Sequence, residues 1–236
     1  KNIVNTSKFT GEYDGAGNSI ENLTINRPNN SHGTGFFGET GGATIRNLRL
    51  TNVNITGKIN TGSLVGRSNS SSTDNNSASG SVTGSDYGQG GLAGYIYHTS
   101  IRNSYSTVSV VGSQFYIGGL VGYFYSNTPL LNSYSIGSVV CTHNSYCPSY
   151  SGGLVGYKYG GTVTDSFYDT TTSGKSDTGK GTGKNTSQMK TSGTFTNWDF
   201  NNIWAIDTSG SINGGYPYVK FTSSYESVVT IHNLDD

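Results

Sequence analysis

One short motif recurs along the chain at a nearly constant spacing. Residues 91–95 (GLAGY) return as 119–123 and 153–157 (GLVGY in both), with weaker copies at 62–66 (GSLVG) and 35–38 (GFFG). The first four copies begin at almost equal steps, and the last step is longer. A period of roughly 20 to 50 residues is typical of proteins that stack one supersecondary unit on the next. The chain is therefore predicted to be a repeat protein.

A second motif keeps the same period. Asn47, Asn75, Asn103 and Asn132 recur at almost equal steps, and Asn22 fits upstream with a slightly shorter step. A glycine-rich composition alone would not keep two motifs in phase. We interpret these five asparagines as a structural ladder, in which side-chain amides at a bend hydrogen-bond from one turn to the next and satisfy freed backbone groups.

The segments between the motifs alternate apolar and polar residues, as in 48–50 (LRL), 53–55 (VNI) and 108–110 (VSV). This period of two predicts short β-strands, and no segment has the 3.6-residue period of an amphipathic helix. Charged residues make up only 12% of the chain and glycine supplies 35 residues, so we expect a thin, continuous core. The predicted fold is all-β: a parallel β-helix, or β-solenoid, of about five to six turns, which we expect to be right-handed.

The division of the chain follows the motifs. Residues 1–34 are predicted to form an N-terminal cap and lead-in turn, and residues 35–169 the solenoid repeats. The stretch that follows is rich in Gly, Ser and Thr, and residues 195–221 concentrate large aromatic side chains. We therefore expect 170–221 to be a loop and then a C-terminal aromatic cap over the open end of the solenoid. Residues 222–236 form either a tail or the start of a next module.

The core GGLVGY at 152–157 and the segment NSYS at 103–106 together resemble the GLUG repeat. A similar lead-in at 9–20 and a similar closing stretch extend the resemblance to about residues 9–221. The resemblance implies a secreted or surface-anchored bacterial or archaeal protein, adhesin-like, in which such arrays flank other modules. It implies an extracellular or cell-surface location and a place in a larger surface protein or assembly, but no particular ligand.

Pairs of tyrosines follow the glycine motif in three repeats. The members of each pair alternate with one other residue, so both side chains lie on one face of a strand. An outward strip would suit stacking on sugar rings, whereas an inward one would be core. The apolar residues between the pairs, Ile96 and Phe124, favour outward tyrosines, and Lys158 favours the opposite in the last repeat. The candidate glycan contacts are Tyr95, Tyr97, Tyr123, Tyr125, Tyr157 and Tyr159.

The longest step of the glycine motif, from Gly119 to Gly153, contains an excursion near 141–148. Cys141 and Cys147 lie at the base of this excursion, where a disulfide would close a small loop and hold it against the solenoid. Such a bond implies an oxidising compartment. Two free thiols are the alternative.

Charge and motif content argue against several function classes. With 14 basic and 14 acidic residues, the chain lacks the excess of positive charge that binding to nucleic acid or to an anionic membrane requires. No apolar run reaches the roughly 18 residues of a transmembrane helix, so we expect no membrane insertion. No H-E-x-x-H or G-x-S-x-G motif occurs, and the acidic residues of the array share no repeat position. We therefore expect no catalytic residue, no metal site and no cofactor.

The predicted function is a non-catalytic extracellular surface module, adhesin-like or stalk-like, that contacts glycans through the tyrosine strip. Its partner is a surface ligand that the sequence does not identify, either a carbohydrate or a protein of a partner cell. The alternative function is a polysaccharide-processing β-helix enzyme, which would need carboxylates clustered in a groove across adjacent turns.

Overall fold

The computed structural model describes residues 8–125, 127–142 and 147–221. The predicted tail at 222–236, the first seven residues of the predicted N-terminal cap and the tip of the excursion at 143–146 lie outside the described residues. In chain order, the first strands are β1 (Glu12–Asp14), β2 (Ser19–Glu21), β3 (Thr24–Asn26), β4 (Phe37–Gly41), β5 (Thr44–Arg46), β6 (Arg49–Gly57), β7 (Val65–Asn69), β8 (Ser72–Asp74), β9 (Ser77–Gly84), β10 (Gln89–Gly90), β11 (Ala93–Tyr97), β12 (Ser100–Arg102) and β13 (Tyr105–Ser106).

The remaining strands are β14 (Ser109–Gly112), β15 (Ile117–Gly118), β16 (Val121–Tyr125), β17 (Leu130–Leu131), β18 (Tyr134–Ser135), β19 (Val139–Cys141), β20 (Ser151–Gly152), β21 (Val155–Tyr159), β22 (Val163–Thr164), β23 (Phe167–Asp169), β24 (Thr182–Lys184), β25 (Trp204–Ile206) and β26 (Pro217–Val219). The helices are α1 (Cys147–Tyr150), α2 (Thr170–Ser173) and α3 (Thr186–Met189), with 3-10 turns at Ser192–Thr194 and Asn213–Gly215.

The strands form a parallel β-solenoid, as predicted. Sheet A contains β4, β7, β11, β16 and β21. Each turn of the solenoid contributes one of these strands, so the solenoid has five turns at this sheet. Sheet B contains β1, β5, β8, β12, β17 and β22, sheet C contains ten strands from β2 to β24, and sheet D contains β10, β15 and β20. Strands of successive turns pair in parallel within these sheets. A separate antiparallel hairpin joins β25 and β26.

The register between turns is more regular than the sequence motif suggested. Phe37 pairs with Val65, and Ala93 pairs with both Val65 and Val121, so these three steps along the chain are equal. Just upstream, this register aligns Ser63, rather than Gly62, with Gly35 and Gly91. The first two steps of the motif differ in the sequence because Gly62 was matched to Gly35 and Gly91. In the structure, Ser63 occupies the equivalent position in that turn.

At Gly91 and Gly119, the first glycine of the motif, close packing between turns leaves no room for a Cβ atom. A Cβ atom at Gly119 would overlap the carbonyl oxygen of Gly153 in the next turn, and one at Gly91 would overlap that of Gly119. In the turn where serine replaces this glycine, the Ser63 hydroxyl donates a hydrogen bond to the carbonyl of Gly91. In this turn, a side-chain hydrogen bond therefore takes the place of the close glycine packing seen between the later turns.

The core is a narrow aliphatic column inside the sheets. Its fully buried members include Ile45, Ile96, Ile101, Phe124 and Leu130. Each such side chain contributes roughly 1.5 to 3 kcal/mol when it is removed from water. Since every turn supplies only a few of them, stability depends on the stacking of turns on one another.

An asparagine column forms the corner between sheets B and C. Asn47, Asn75, Asn103 and Asn132 have φ of 54°, 54°, 45° and 46°, in the left-handed region that Asn tolerates better than most residues. The Asn75 amide donates to Oδ1 of Asn47 at 3.2 Å, but the Asn103 amide donates to Oδ1 of Asp74 at 2.9 Å. The backbone conformation is therefore what all members share, and amide-to-amide bonds form only in part.

Asn22 lies outside this column, although its sequence context grouped it there. Its neighbour Glu21 pairs with Thr51, which places Asn22 next to Asn52. Asn22 and Asn52 have φ of 58° and 54°, and the Asn52 amide donates to Oδ1 of Asn22 at 2.7 Å. They form a second left-handed corner between β2 and β3, and the shorter step from Asn22 to Asn47 in the sequence reflects this different position.

A buried ladder of side-chain to backbone hydrogen bonds runs beside the asparagine corner. The Ser104 hydroxyl accepts from the backbone N–H of Asn76 at 3.1 Å, and the Ser133 hydroxyl accepts from the N–H of Ser104 at 3.2 Å. The Ser166 hydroxyl continues the pattern by accepting from Ser133 at 3.2 Å. At the bend, these backbone N–H groups do not pair with a carbonyl of the neighbouring turn, and the serine hydroxyls accept their hydrogen bonds instead. This explains why a serine follows the asparagine in the NSYS segment.

The C-terminal end of the solenoid is closed by a loop. Tyr168 fills the interior position that Ser106 and Ser135 occupy in earlier turns, and its hydroxyl donates to the carbonyl of Asp177 at 2.6 Å. The Lys180 ammonium donates to the carbonyls of Ser151 and Gly156 at 3.0 and 2.8 Å. Side chains of the loop thus take over hydrogen bonds that a further turn would make.

The aromatic cluster predicted to cover this end lies instead along the flank of the solenoid. Tyr105, Tyr134 and Phe167 are aligned on the outer face of sheet C, and they pack against Phe195, Trp198, Trp204 and Tyr216. The Arg49 guanidinium, further down the same column, lies 4.7 Å from the ring centre of Phe221. The C-terminal segment 185–221, which we call the flank module, therefore spans several turns. The prediction from sequence placed this segment over the end because Tyr105, Tyr134 and Phe167 were assigned to the repeat. Their outward side chains form the surface on which the flank module packs.

The asparagine corner generates a stability prediction. Replacing Asn103 by Ala or by Gly removes the same side-chain hydrogen bond, but only Ala is strained at positive φ. We expect Asn103→Ala to lower the free energy of unfolding by about 1 kcal/mol more than Asn103→Gly. Urea denaturation followed by circular dichroism measures the difference. Equal stability of the two variants would show that the amide, and not the backbone conformation, determines this position.

Candidate functional site

Six tyrosines project outward from the last three turns of sheet A. Tyr95, Tyr123 and Tyr157 are aligned in one column, and Tyr97, Tyr125 and Tyr159 in a second. We call these six residues the Tyr surface. Ile96 and Phe124, which alternate with them, are fully buried in the core. The alternation of a β-strand therefore turns the tyrosines to the outside.

The second column is a parallel stack of rings. The ring centres of Tyr97 and Tyr125 are 5.2 Å apart with planes 14° from parallel, and those of Tyr125 and Tyr159 are 5.0 Å apart at 2°. These distances match the spacing of neighbouring strands, about 4.8 Å, so the backbone register sets the stacking. The His98 ring contacts the first member, with ring centres of His98 and Tyr97 4.0 Å apart.

The first column is less regular, and other aromatic side chains pack against it. Tyr95 and Tyr123 are 5.0 Å apart at 65°, and Tyr123 and Tyr157 are 5.5 Å apart at 59°. Tyr116 packs against both of the last two, 4.6 Å from Tyr123 and 5.1 Å from Tyr157. Tyr150 closes the group at 5.6 Å from Tyr157. The rings support one another and lose much of their freedom to move.

Ring stacking determines which atoms the Tyr surface offers to a ligand. Tyr125 is covered on both faces by Tyr97 and Tyr159, so it presents its edge and hydroxyl. Tyr159 ends the stack in the last strand of sheet A and is 57% exposed, so one of its faces is available. The surface therefore combines a row of phenol edges and hydroxyls with one open ring face.

Burial keeps some of the phenols at this surface in their neutral form. Burial among the other rings raises the pKa of Tyr123 to about 12, with a smaller contribution from the neighbouring tyrosines. Burial likewise raises the pKa of Tyr95 and of Tyr116. Neutral phenols both donate and accept hydrogen bonds, which suits contact with hydroxyl-rich molecules.

The disulfide predicted at the base of the excursion is formed. Cys141 and Cys147 are bonded, with Cα atoms 5.5 Å apart. Cys141 ends β19 and Cys147 begins α1, whose last residue is Tyr150. The bond thus fixes the short helix that delivers Tyr150 to Tyr116 and Tyr157. The alternative of two free thiols is excluded for this pair.

Sequence reasoning missed the aromatic residues that flank the Tyr surface. Tyr116 and Tyr150 occupy the same position upstream of two GLVGY motifs, and Ile117 and Ser151, which follow them, are paired. Tyr87 and Phe115 precede the equivalent turns and recur at the period of the motifs. This third periodic signal is present in the sequence, but it lies outside the glycine and asparagine motifs from which the repeat was recognised.

Other candidate chemistry lies away from the Tyr surface. Within the described ranges, no three His, Cys, Asp or Glu side chains come close enough to bind a metal ion together. Glu12 and Asp14 are engaged by Arg46, at 2.6 and 2.8 Å. The asparagine column lies at the far side of sheet B, so it does not contribute to the Tyr surface. In the part of the chain with described structure, no helix has the length and apolarity needed to span a bilayer.

Comparison with known proteins supports the repeat assignment. Residues 87–111, which run from the start of one turn through its strands in sheets A, B and C, match the family described as the GLUG motif. The chain is 37% identical over 100 residues to a protein described as a Gly-rich membrane protein from Evansella cellulosilytica, covering 41% of this chain and 11% of that protein. It is 41% identical over 91 residues to halomucin from Haloquadratum walsbyi, covering 38% of this chain and 1% of halomucin.

The chain thus carries a GLUG motif and spans only a small part, 11% and 1%, of the length of these two curated relatives. No solved structure matches it.

The raised pKa of Tyr123 generates a prediction for alkaline conditions. An unfolded tyrosine has a pKa near 10, and burial raises that of Tyr123 to about 12, so folding favours the protonated phenol. This contribution to stability is complete below about pH 10 and is lost as the pH rises through about 12. We expect urea midpoints to fall over this range, and to fall less in Tyr123→Phe. An identical pH dependence in both proteins would contradict this role of Tyr123.

The disulfide generates a second prediction. Replacing both Cys141 and Cys147 by Ser should release α1 and separate Tyr150 from Tyr116 and Tyr157. Because the closed loop is short, the free energy of unfolding should fall by roughly 2 kcal/mol or less. Nuclear Overhauser contacts between the Tyr150 and Tyr157 rings, measured before and after reduction of the unmodified protein as a control, test the positioning. Unchanged ring contacts in the double variant would show that α1 is held without the bond.

Proposed function

We propose that this chain is a non-catalytic module of a secreted or cell-surface protein, and that its Tyr surface binds polysaccharide. The observation that carries the proposal is the outward stack of tyrosines that ends in the open face of Tyr159. Aromatic rings bind sugars through their faces, while phenol hydroxyls exchange hydrogen bonds with sugar hydroxyls. The Tyr surface offers both within three adjacent strands.

The solenoid makes this surface suitable for a polymer. Because the tyrosines repeat at the strand spacing, a chain molecule lying along the solenoid axis meets equivalent groups at regular intervals. The rings are ordered before binding by their mutual packing, so little side-chain entropy is lost on contact. Exposed aromatic groups that are rigid and clustered are typical of binding sites rather than of inert surface.

The surroundings favour an extracellular setting. The Cys141–Cys147 bond is of a kind that persists in oxidising compartments. The GLUG motif and the similarity to a protein described as a membrane protein agree with a module of a larger surface protein. Adhesion through carbohydrate is the finer role that we propose for it.

A non-catalytic role is part of the proposal. A glycoside hydrolase needs two carboxyl groups that face one substrate from roughly 5 to 9.5 Å apart. The outward positions of sheet A that surround the Tyr surface carry Arg67, Asn69 and tyrosines, with one carboxylate, Glu39, at the far end. An assay for new reducing ends on each bound polysaccharide tests this part. Turnover that survives purification and disappears on substitution of Glu39 would support the enzyme alternative instead.

Binding is tested with a glycan array and then by titration calorimetry on the glycans retained. We expect Tyr159→Ala to weaken binding by roughly tenfold, because loss of an aromatic anchor typically costs more than about 1 kcal/mol. Ile212→Ala is the matched control, since Ile212 is 46% exposed but lies in the flank module. Circular dichroism should show both variants folded. Equal losses in the two variants, or no glycan retained by the unmodified protein, would overturn the proposal.

A further inference from the structure

The Tyr surface is bordered by one arginine that has no protein partner for its charge among the residues described. Arg67 is paired with Tyr95 in the register of sheet A, so it occupies the outward position one turn before the first tyrosine of its column. Its guanidinium carbon lies 5.4 Å from the ring centre of Tyr95, and its side chain is exposed. This contact with the ring face holds the guanidinium against the edge of the Tyr surface.

The other arginines with described contacts use their charge within the protein. Arg46 forms ion pairs with Glu12 and Asp14 at 2.6 and 2.8 Å. Arg49 donates to the carbonyl of Gly17 at 2.9 Å and packs over Phe221. Among the residues with described structure, no carboxylate lies within 4.0 Å of the Arg67 guanidinium, and no carbonyl accepts from it. Its planar array of N–H donors is therefore available to an anion.

Among the described residues, the Arg67 guanidinium forms no ion pair with its neighbours in sheet A. The outward neighbours of Arg67 in sheet A are Glu39 in the previous turn, Asn69 in its own strand and Tyr95 in the next turn. Glu39 occupies the outward position one turn earlier, and its carboxylate lies 3.5 Å from Nδ1 of His32. A ligand that extends from Tyr159 toward the N-terminal turns would thus meet tyrosines, then one exposed guanidinium, and only beyond it a carboxylate.

We propose that Arg67 makes the Tyr surface selective for acidic polysaccharides, with the guanidinium pairing with a sugar carboxylate. This inference rests on the proposed function and names the class of ligand. The distance from the strand of Arg67 to that of Tyr159 is three strand spacings, about 14 Å, so the ligand is a chain rather than a single sugar. A guanidinium binds a carboxylate through two parallel hydrogen bonds, which fixes both the charge and the orientation of the ligand.

The test compares acidic polysaccharides with their own neutral esters. Polygalacturonate, alginate and hyaluronate are each titrated beside the corresponding methyl ester, which keeps the sugar backbone and removes the charge. We expect at least one acidic form to bind roughly fivefold more tightly than its ester, and the difference to shrink as salt screens the pair. Arg67→Gln should abolish the preference while the ester binds as before.

Two further variants sharpen the test. Arg27→Gln removes an exposed arginine outside sheet A and should leave the preference unchanged, so it controls for total charge. Glu39→Gln removes the nearest carboxylate beyond Arg67 and should strengthen binding of the acidic form. Equal loss in Arg67→Gln and Arg27→Gln would overturn the inference, because net charge alone would then explain the preference.

The outcomes separate this inference from the function on which it rests. If esters and acids bind with equal affinity and Tyr159→Ala weakens both, the Tyr surface binds glycans but Arg67 does not select them. If none of the six probes binds and the glycan array is empty, both proposals fail. Dimerisation in analytical ultracentrifugation that is lost in Arg67→Gln would identify a second copy of the chain as the occupant and would likewise overturn the inference.

Discussion

Parallel backbone hydrogen bonds between successive turns determine nearly everything else in this chain. They hold equivalent residues about 4.8 Å apart, so any residue type that recurs at the same register position becomes a column on the finished structure. Val65, Ala93 and Val121 form such a column inside. Tyr97, Tyr125 and Tyr159 form one outside. A short sequence motif is thereby converted into an extended surface without any dedicated folding element.

The corners that make this stacking possible rely on backbone conformation more than on side-chain chemistry. Asn47, Asn75 and Asn103 share a left-handed φ, while their amides have different partners. Buried serine hydroxyls next to the corner accept backbone N–H groups that have left the ladder. The two devices together allow a sharp bend without leaving these buried donors unsatisfied.

Sequence periodicity predicted the solenoid and the disulfide, because each depends on spacing along the chain. It also favoured outward tyrosines, through the apolar residues that alternate with them. It did not predict the register at Ser63, since that position keeps its contact with a hydroxyl instead of a glycine. Nor did it place Asn22 or the flank module correctly. Asn22 shares a backbone conformation, not a register, with the other asparagines, and the flank module docks on Tyr105 and Tyr134 through contacts between residues distant in sequence.

The flank module has a consequence for how the solenoid comes apart. In an ordinary repeat array each turn contacts only its neighbours, so turns can unravel one after another from an end. Here a single segment touches Arg49, Tyr105, Tyr134 and Phe167, which belong to different turns. The last turn, which carries Phe167, cannot detach without disturbing a segment that also packs on turns deeper in the stack. The module therefore acts as a lateral clasp that couples the turns and makes their loss cooperative rather than stepwise.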